Sequence, residues 1–163
     1  VKKFLVTQKF ESSADTIAAA FASEATWRSF AGLPFVGDPV VQSFEADESV
    51  EIAVAYQVSI DLPPLADKFI DPDKLTFVEK TTLNSEGSGT FTIVPDHYSK
   101  LLTASGRIEM VPYDGGWCER LIQGSVNVDL GWTGKLFEGP VEEAIVTGLK
   151  EALRAQAAQV HTP

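Results

Sequence analysis

Residues 137–153 read FEGPVEEAIVTGLKEAL. Val141, Ile145, Leu149 and Leu153 recur one helical turn apart, so the stretch belongs to a long helix, expected over residues 133–158. Its polar residues Glu143, Thr147, Lys150 and Arg154 gather on one side, and a stripe of small residues, Ala144, Gly148, Ala152 and Ala155, runs beside the larger apolar ones. Gly148 costs a helix about 1 kcal/mol relative to alanine. Gly139-Pro140 either bends the helix or marks its true start after an irregular lead-in. A glycine on the apolar side either lets the helix approach the sheet closely or leaves volume for a ligand; the two readings weigh equally.

Upstream of that helix the chain is rich in strands. Residues 3–10, KFLVTQKF, alternate, with Phe4, Val6 and Phe10 on one face. Ser12 followed by Asp15 resembles a capping box and starts a short helix carrying Ile17 and Phe21. SEATWRSF, 23–30, is a second short helix with Trp27 and Phe30, stopped by Gly32 and Pro34. From about residue 38 the period switches to two. In 50–60, Val50, Ile52, Val54, Tyr56, Val58 and Ile60 face one way, and VVQSFEA joins them through Asp47-Glu48-Ser49 as a hairpin. Residues 61–74, DLPPLADKFIDPDK, suggest a short helix burying Leu65 and Phe69 on one side. Strands follow at 75–83 and in TFTIV after the 84–89 loop. The last hairpin joins 101–112 to 117–128 through YDGG, where Asp114-Gly115 suits a type I turn and a left-handed glycine. That turn sets Met110 opposite Cys118 and Ile108 opposite Arg120.

The order is strand, two short helices, six strands, long helix: an α+β chain read as one domain over residues 1–163. An antiparallel sheet with one apolar face must be covered, and only the last helix is long enough to cover it. A sheet that curls around one helix leaves a gap wherever the helix side chains are small. The composition, 44% hydrophobic and 22% charged, is that of a folded chain. A net charge of −10 argues against nucleic acid and against an anionic membrane surface. No apolar run approaches the roughly 20 residues of a membrane span, so no membrane insertion is expected. A single cysteine, Cys118, rules out an intrachain disulfide, and without a signal-like start the expected location is cytoplasmic.

The helix pair FESSADTIAAAF at 10–21 and SEATWRSF at 23–30, with DLGWTGKLFEGPVEEAI at 129–145, resembles the helix-grip fold. This is the SRPBCC superfamily, which covers START domains, Bet v 1-like pollen allergens and polyketide cyclase-like proteins. Within it the chain looks most like an actinobacterial family of unknown function, on LPPLADKF at 62–69 and the helix start bearing Gly131 and Gly134. The resemblance implies a curved antiparallel sheet of about seven strands around the C-terminal helix. It also implies a hydrophobic tunnel, used by relatives for lipids, sterols, polyketides or other apolar ligands.

Few residues invite chemistry. There is no G-x-S-x-G elbow, P-loop or G-x-G-x-x-G, so no catalytic residue is assigned and no cofactor is expected. No His, Cys and carboxylate grouping has metal-ligand spacing. The acidic run Asp61, Asp67, Asp71 and Asp73 reads as a solvated loop. His161 lies near the end of the chain, and His97 in PDHYSK is a surface turn residue or a cavity-mouth group. Arg120 stands out, because the alternation Cys118, Arg120, Ile122 turns it inward, where it needs a ligand carboxylate or an internal Asp or Glu. The opposite register would instead turn Trp117, Glu119 and Leu121 inward.

Cavity-lining candidates are Val54, Tyr56, Phe77, Phe91, Ile108, Met110, Arg120, Ile145, Gly148 and Leu149, with Leu65 and Phe69 as a lid. The expected function is binding, transport or sensing of an apolar small molecule. The alternatives are a cyclase or hydratase using Arg120, Tyr56 or His97, and an interaction module with a filled core.

Overall fold

The computed structural model describes residues 1–160, and the statements below concern those residues. Strand β1 (Lys2–Phe10) leads into helices α1 (Ala14–Phe21) and α2 (Glu24–Ser29). Strands β2 (Val40–Ala46), β3 (Val50–Gln57), β4 (Thr76–Leu83), β5 (Gly89–Pro95), β6 (Leu102–Tyr113) and β7 (Trp117–Val128) follow, and helix α3 (Gly131–Gln159) closes the chain. The strands form one antiparallel sheet in the order β1-β7-β6-β5-β4-β3-β2. Six strands run as a meander, and β1 returns beside the last of them. This is the α+β helix-grip architecture.

Alternation along each strand decides which residues form the core. Phe4, Val6 and Phe10 of β1, Ile52 and Val54 of β3, Phe77 and Leu83 of β4, and Cys118, Ile122 and Val126 of β7 are all buried on the concave face. The short helices plug one end of the sheet. Phe21 and Trp27 are buried edge to face with ring centroids 5.7 Å apart, and the indole Nε1 donates to the Phe21 carbonyl at 2.8 Å. Burial of one such aromatic stabilises by roughly 2–3 kcal/mol. The α1 cap is Ser13 rather than Ser12: its Oγ accepts from the Thr16 amide at 3.2 Å.

Two other sequence-based expectations need correction. The β6–β7 hairpin pairs Tyr113 with Trp117, so Met110 lies opposite Arg120, Ile108 opposite Ile122 and Pro112 opposite Cys118. Gly115 and Gly116 both take positive φ, 97° and 79°, which spreads the turn over Asp114–Gly116; the Tyr113 and Trp117 rings stack across it at 4.2 Å. The shift is two residues, so the inward face is the expected one. Residues 61–74 form no helix, only 3₁₀ turns at Ala66–Lys68 and Pro72–Lys74. Leu65, ahead of the first turn, takes a left-handed φ of 70° and is 56% exposed. Ala66 and Ile70, joined by a backbone bond of 3.0 Å, are the buried pair, and Phe69 leans half-buried on Phe137 with centroids 5.5 Å apart.

Helix α3 begins two residues earlier than expected and carries Pro140 inside it. Its close backbone approaches to the sheet are to β1 and β7, at one end of the strand order. Gly148 is buried, and the ring of Phe35, from the loop after α2, occupies the place a side chain would take there. The glycine thus admits a loop residue, neither the sheet nor empty space. An added methyl normally helps a helix, but Gly148→Ala drives Cβ into the Phe35 ring, and overpacking of this kind costs about 1–3 kcal/mol. In urea unfolding Gly148→Ala should destabilise the wild-type background and stabilise the Phe35→Ala background. A neutral or stabilising effect in both would refute the contact.

Candidate functional site

With α3 held at β1 and β7, the inner faces of β3, β4 and β5 look across at the helix without meeting it along their length. Among the described residues, small cavities mark that gap. Two of them, about 30 Å³ each, share Glu79, Ile93, Leu149, Leu153 and Gln156. One lobe reaches Tyr56, Phe77 and the Leu33–Val36 loop; the other reaches Phe91, Ile108, Arg120 and Ile122. A third cavity of about 20 Å³, apolar and bounded by Phe77, lies at the mouth under Leu62, Ile70 and Leu75, with Val141 and Ile145 behind it. Each space is of the order of one water molecule. The gap is therefore a track interrupted by side chains.

Five polar side chains from four strands and one from α3 point into this apolar surround. Arg120 is 2% exposed; its Nη1 donates to Oε1 of Gln8 at 2.9 Å and of Gln156 at 3.5 Å. Its guanidinium carbon stands 3.8 Å from the centroid of the Phe21 ring, and its Nε has no hydrogen-bond partner. Gln8 in turn donates through Nε2 to the Leu153 carbonyl at 2.6 Å and to Gln156 Oε1 at 3.1 Å. Across the gap, Glu79 accepts from Thr81 Oγ1 at 3.0 Å and from the Tyr56 hydroxyl at 3.3 Å. No ion pair within 4.0 Å joins Glu79 to Arg120 among the described residues, although both line the same lobe.

Loss of solvent governs the protonation of this group. Burial raises the Glu79 carboxyl above its ordinary value, opposed by the Thr81 hydrogen bond and the charge of Arg120. Burial, then the charge of Glu79, holds the Tyr56 hydroxyl well above 10. Burial pushes Arg120 down to about 10, against the pull of Glu79, so the guanidinium remains charged at neutral pH. Glu79 and Tyr56 are only half-buried by surface area, yet that surface faces the narrow gap, which desolvates them much as full burial would.

The sequence-derived candidates fall into three groups. Tyr56, Phe77 and Leu149 line one lobe; Phe91, Ile108, Arg120 and Leu149 line the other; Phe77 and Ile145 bound the mouth. Val54, Met110 and Gly148 are buried but line none of the three spaces, and Gly148 lies under Phe35. Leu65 is exposed and Phe69 packs on Phe137, so Leu62 and Ile70 are the residues that roof the mouth. His97 is an exposed turn residue on the rim of that mouth, while His161 lies outside the described residues. Asp61, Asp67, Asp71 and Asp73 are exposed, and no cluster of three metal-ligating side chains occurs among the described residues. Gln8, Glu79 and Gln156 were not singled out from sequence. Period two carries the signal for the first two, since Gln8 shares a face with Phe4, Val6 and Phe10, and Glu79 with Phe77 and Leu83.

Residues 6–162 match the family described as Protein of unknown function (DUF2505). The chain belongs to that family. No curated protein matches it. Among solved structures it is similar to the aromatase/cyclase Zhui from a Streptomyces species (10% identity, 98% of this chain and 93% of that one, TM-score 0.66). It is also similar to norcoclaurine synthase from Thalictrum flavum (18% identity, 97% and 84%, TM-score 0.63). A START superfamily protein from Mycobacterium smegmatis matches with 13% identity over 98% and 99% of the two chains, TM-score 0.53. At such identities the likeness concerns the fold alone, a curved antiparallel sheet with a long C-terminal helix. No described helix is long and apolar enough to cross a membrane.

The protonation of Glu79 yields a test with a definite sign. Below the ordinary carboxyl value of about 4.3 both folded and unfolded states are protonated. As pH rises from there through the raised folded value, the unfolded chain releases its proton first, so stability is lost. The stability of Glu79→Gln relative to wild type should therefore climb as pH rises above about 4, read as the difference in Tm. A flat or falling difference contradicts this environment for Glu79.

Proposed function

We propose that this protein binds an apolar small molecule in the gap between the sheet and α3, as a carrier or sensor. The observation that carries this reading is the one-sided grip of α3. The helix rests on β1 and β7, and Tyr56, Phe77, Ile93, Leu149 and Leu153 border spaces that no other element fills. A pocket with apolar walls and a few convergent polar groups is the usual form of a small-molecule site. The spaces as they stand are small, so a ligand must part the walls. The loop bearing Phe35 is the element suited to give way: it walls one lobe through Leu33 and Val36, and Phe35 sits at φ 73°, a backbone conformation costly for a phenylalanine. Leu62 and Ile70 would then act as the cover of the mouth.

A second reading has its own support. Glu79 borders both lobes and links Tyr56 in one to Arg120 in the other, a grouping of desolvated ionisable side chains of the kind used in acid–base sites. Two of the structural relatives are enzymes by name, the aromatase/cyclase and norcoclaurine synthase. In this reading the protein is a cyclase- or hydratase-type enzyme. The two are separated by the fate of the bound compound, which leaves a carrier unchanged and leaves an enzyme altered in mass or structure.

Native mass spectrometry, with extraction of whatever copurifies, tests both. A compound at one hundred times its Kd stabilises by about 2.7 kcal/mol, a rise of roughly 5–10 °C for a chain of this length. Leu149→Trp, which fills both lobes, should remove that rise. No copurifying compound, together with no thermal shift from sterol, fatty-acyl or polycyclic aromatic compounds, would leave the interior as a filled core serving protein contacts.

A further inference from the structure

Resting on that binding reading, we infer that the ligand is an apolar monocarboxylic acid whose carboxylate is taken by the free Nε edge of Arg120, and that Glu79 takes up a proton when it binds. Arg120 is 98% removed from solvent and holds its charge without a carboxylate in contact. Both of its side-chain hydrogen bonds leave from Nη1 and end on neutral amide oxygens, Gln8 and Gln156. Those two glutamines, with the Phe21 ring against the guanidinium plane, lock its orientation. The unpartnered Nε belongs to a side chain that lines the cavity. A buried donor without an acceptor costs about 1–3 kcal/mol, and more when the group is charged. A carboxylate laid along the edge removes that cost through paired, charge-assisted hydrogen bonds.

The walls decide the rest of the ligand. Phe4, Phe91, Ile108 and Ile122 around Arg120 are apolar, and Phe77 with the mouth beyond it continues an apolar path. Among the described residues Arg120 is the one cation lining its lobe, and the facing carboxyl of Glu79 opposes a second negative charge. A singly charged carboxylate therefore fits where a phosphate dianion does not.

The groups facing Glu79 are Tyr56 from β3, Arg120 from β7, Thr81 from its own strand and Gln156 from α3; Ile93 of β5 and Leu33 and Val36 of the loop are apolar. When a ligand anion takes up the field of Arg120, Glu79 keeps the hydrogen bonds of Thr81 and Tyr56 but loses the one positive charge that favours its ionised form against burial. Its carboxyl then gains a proton from solvent as the acid binds as its anion, and the interior keeps its net charge.

The test uses matched probes on the purified full chain: decanoate with methyl decanoate, and naphthoate with methyl naphthoate, titrated by calorimetry. The acids should bind at least about tenfold more tightly than their esters. Their affinity should fall as pH rises, and heats in buffers of different ionisation enthalpy should report uptake of a proton. Arg120→Met should erase the preference for acids and leave the esters bound. Glu79→Gln serves if Arg120→Met does not fold: it should tighten acid binding at about pH 8 and abolish the pH dependence. Esters that bind as well as acids, or a Glu79→Gln variant that keeps the pH dependence, overturn the inference while the binding reading stands. Binding of none of the four probes, with no copurifying acid, overturns the inference. If other apolar compounds bind, the binding reading survives that result; if none does, both fall.

Discussion

Gln8 ties three elements together in the middle of the molecule. Its amide nitrogen bonds the Leu153 carbonyl and the Gln156 oxygen of α3, and its own oxygen accepts from Arg120 of β7. These bonds lie in a buried, apolar surround, where a mismatch in the rotation of α3 would strand several polar groups at once. Apolar packing alone would let the helix roll on the sheet. This network fixes which of its faces meets β1 and β7, and so which of its residues, Leu149 and Leu153 among them, are left facing β3–β5. The gap follows from that choice, because a sheet curling away from its last two strands can be filled only by side chains long enough to cross.

What fills it is instructive about the small-residue stripe on α3. Gly148 is matched by Phe35, a ring delivered by a loop that holds its residue in a left-handed conformation. Ala152 and Leu149 border the open lobes instead. On one helix face, then, a glycine marks occupied space while larger neighbours mark unoccupied space. Small side chains record the room a helix needs at a given level, and the neighbour that takes it can come from an element remote in sequence.

The same distinction explains what could be read from the chain. The order of elements along the chain, the inward faces of β1 and β3 and the covering helix follow from period two and period 3.6, which are local patterns such as those of Val50–Ile60 and Val141–Leu153. The β6–β7 pairing slipped by two residues because the turn chemistry of Gly115 and Gly116 allows more than one loop length, while the parity of the strands held. The 61–74 segment was misread because Leu65 takes a left-handed φ of 70°, which breaks the helical spacing that would have buried it. Arg120 was legible as a charge among apolar neighbours. Gln8 and Glu79 carried the same kind of signal, a polar residue at an inward position, but in strands judged by their apolar members alone. Phe35 was out of reach: its place depends on a positive φ in a loop, and no periodicity reports that.

Glu79 and Arg120 face the same small space without touching. Had they met, their bond would satisfy both, and a closed buried ion pair offers little to an incoming molecule. Held apart, each keeps a share of its field directed into the gap, while the Coulomb attraction between them still offsets part of the cost of burying both. Arg120 is kept from closing that distance by Gln8, Gln156 and Phe21, and Glu79 by Thr81 and Tyr56. Five side chains drawn from β1, β3, β4, α1 and α3 thus hold two opposite charges open. A fold selected only for stability would gain by replacing them with apolar residues of the same volume. On the proposed binding reading, their arrangement ties the polar centre and the apolar track into one site.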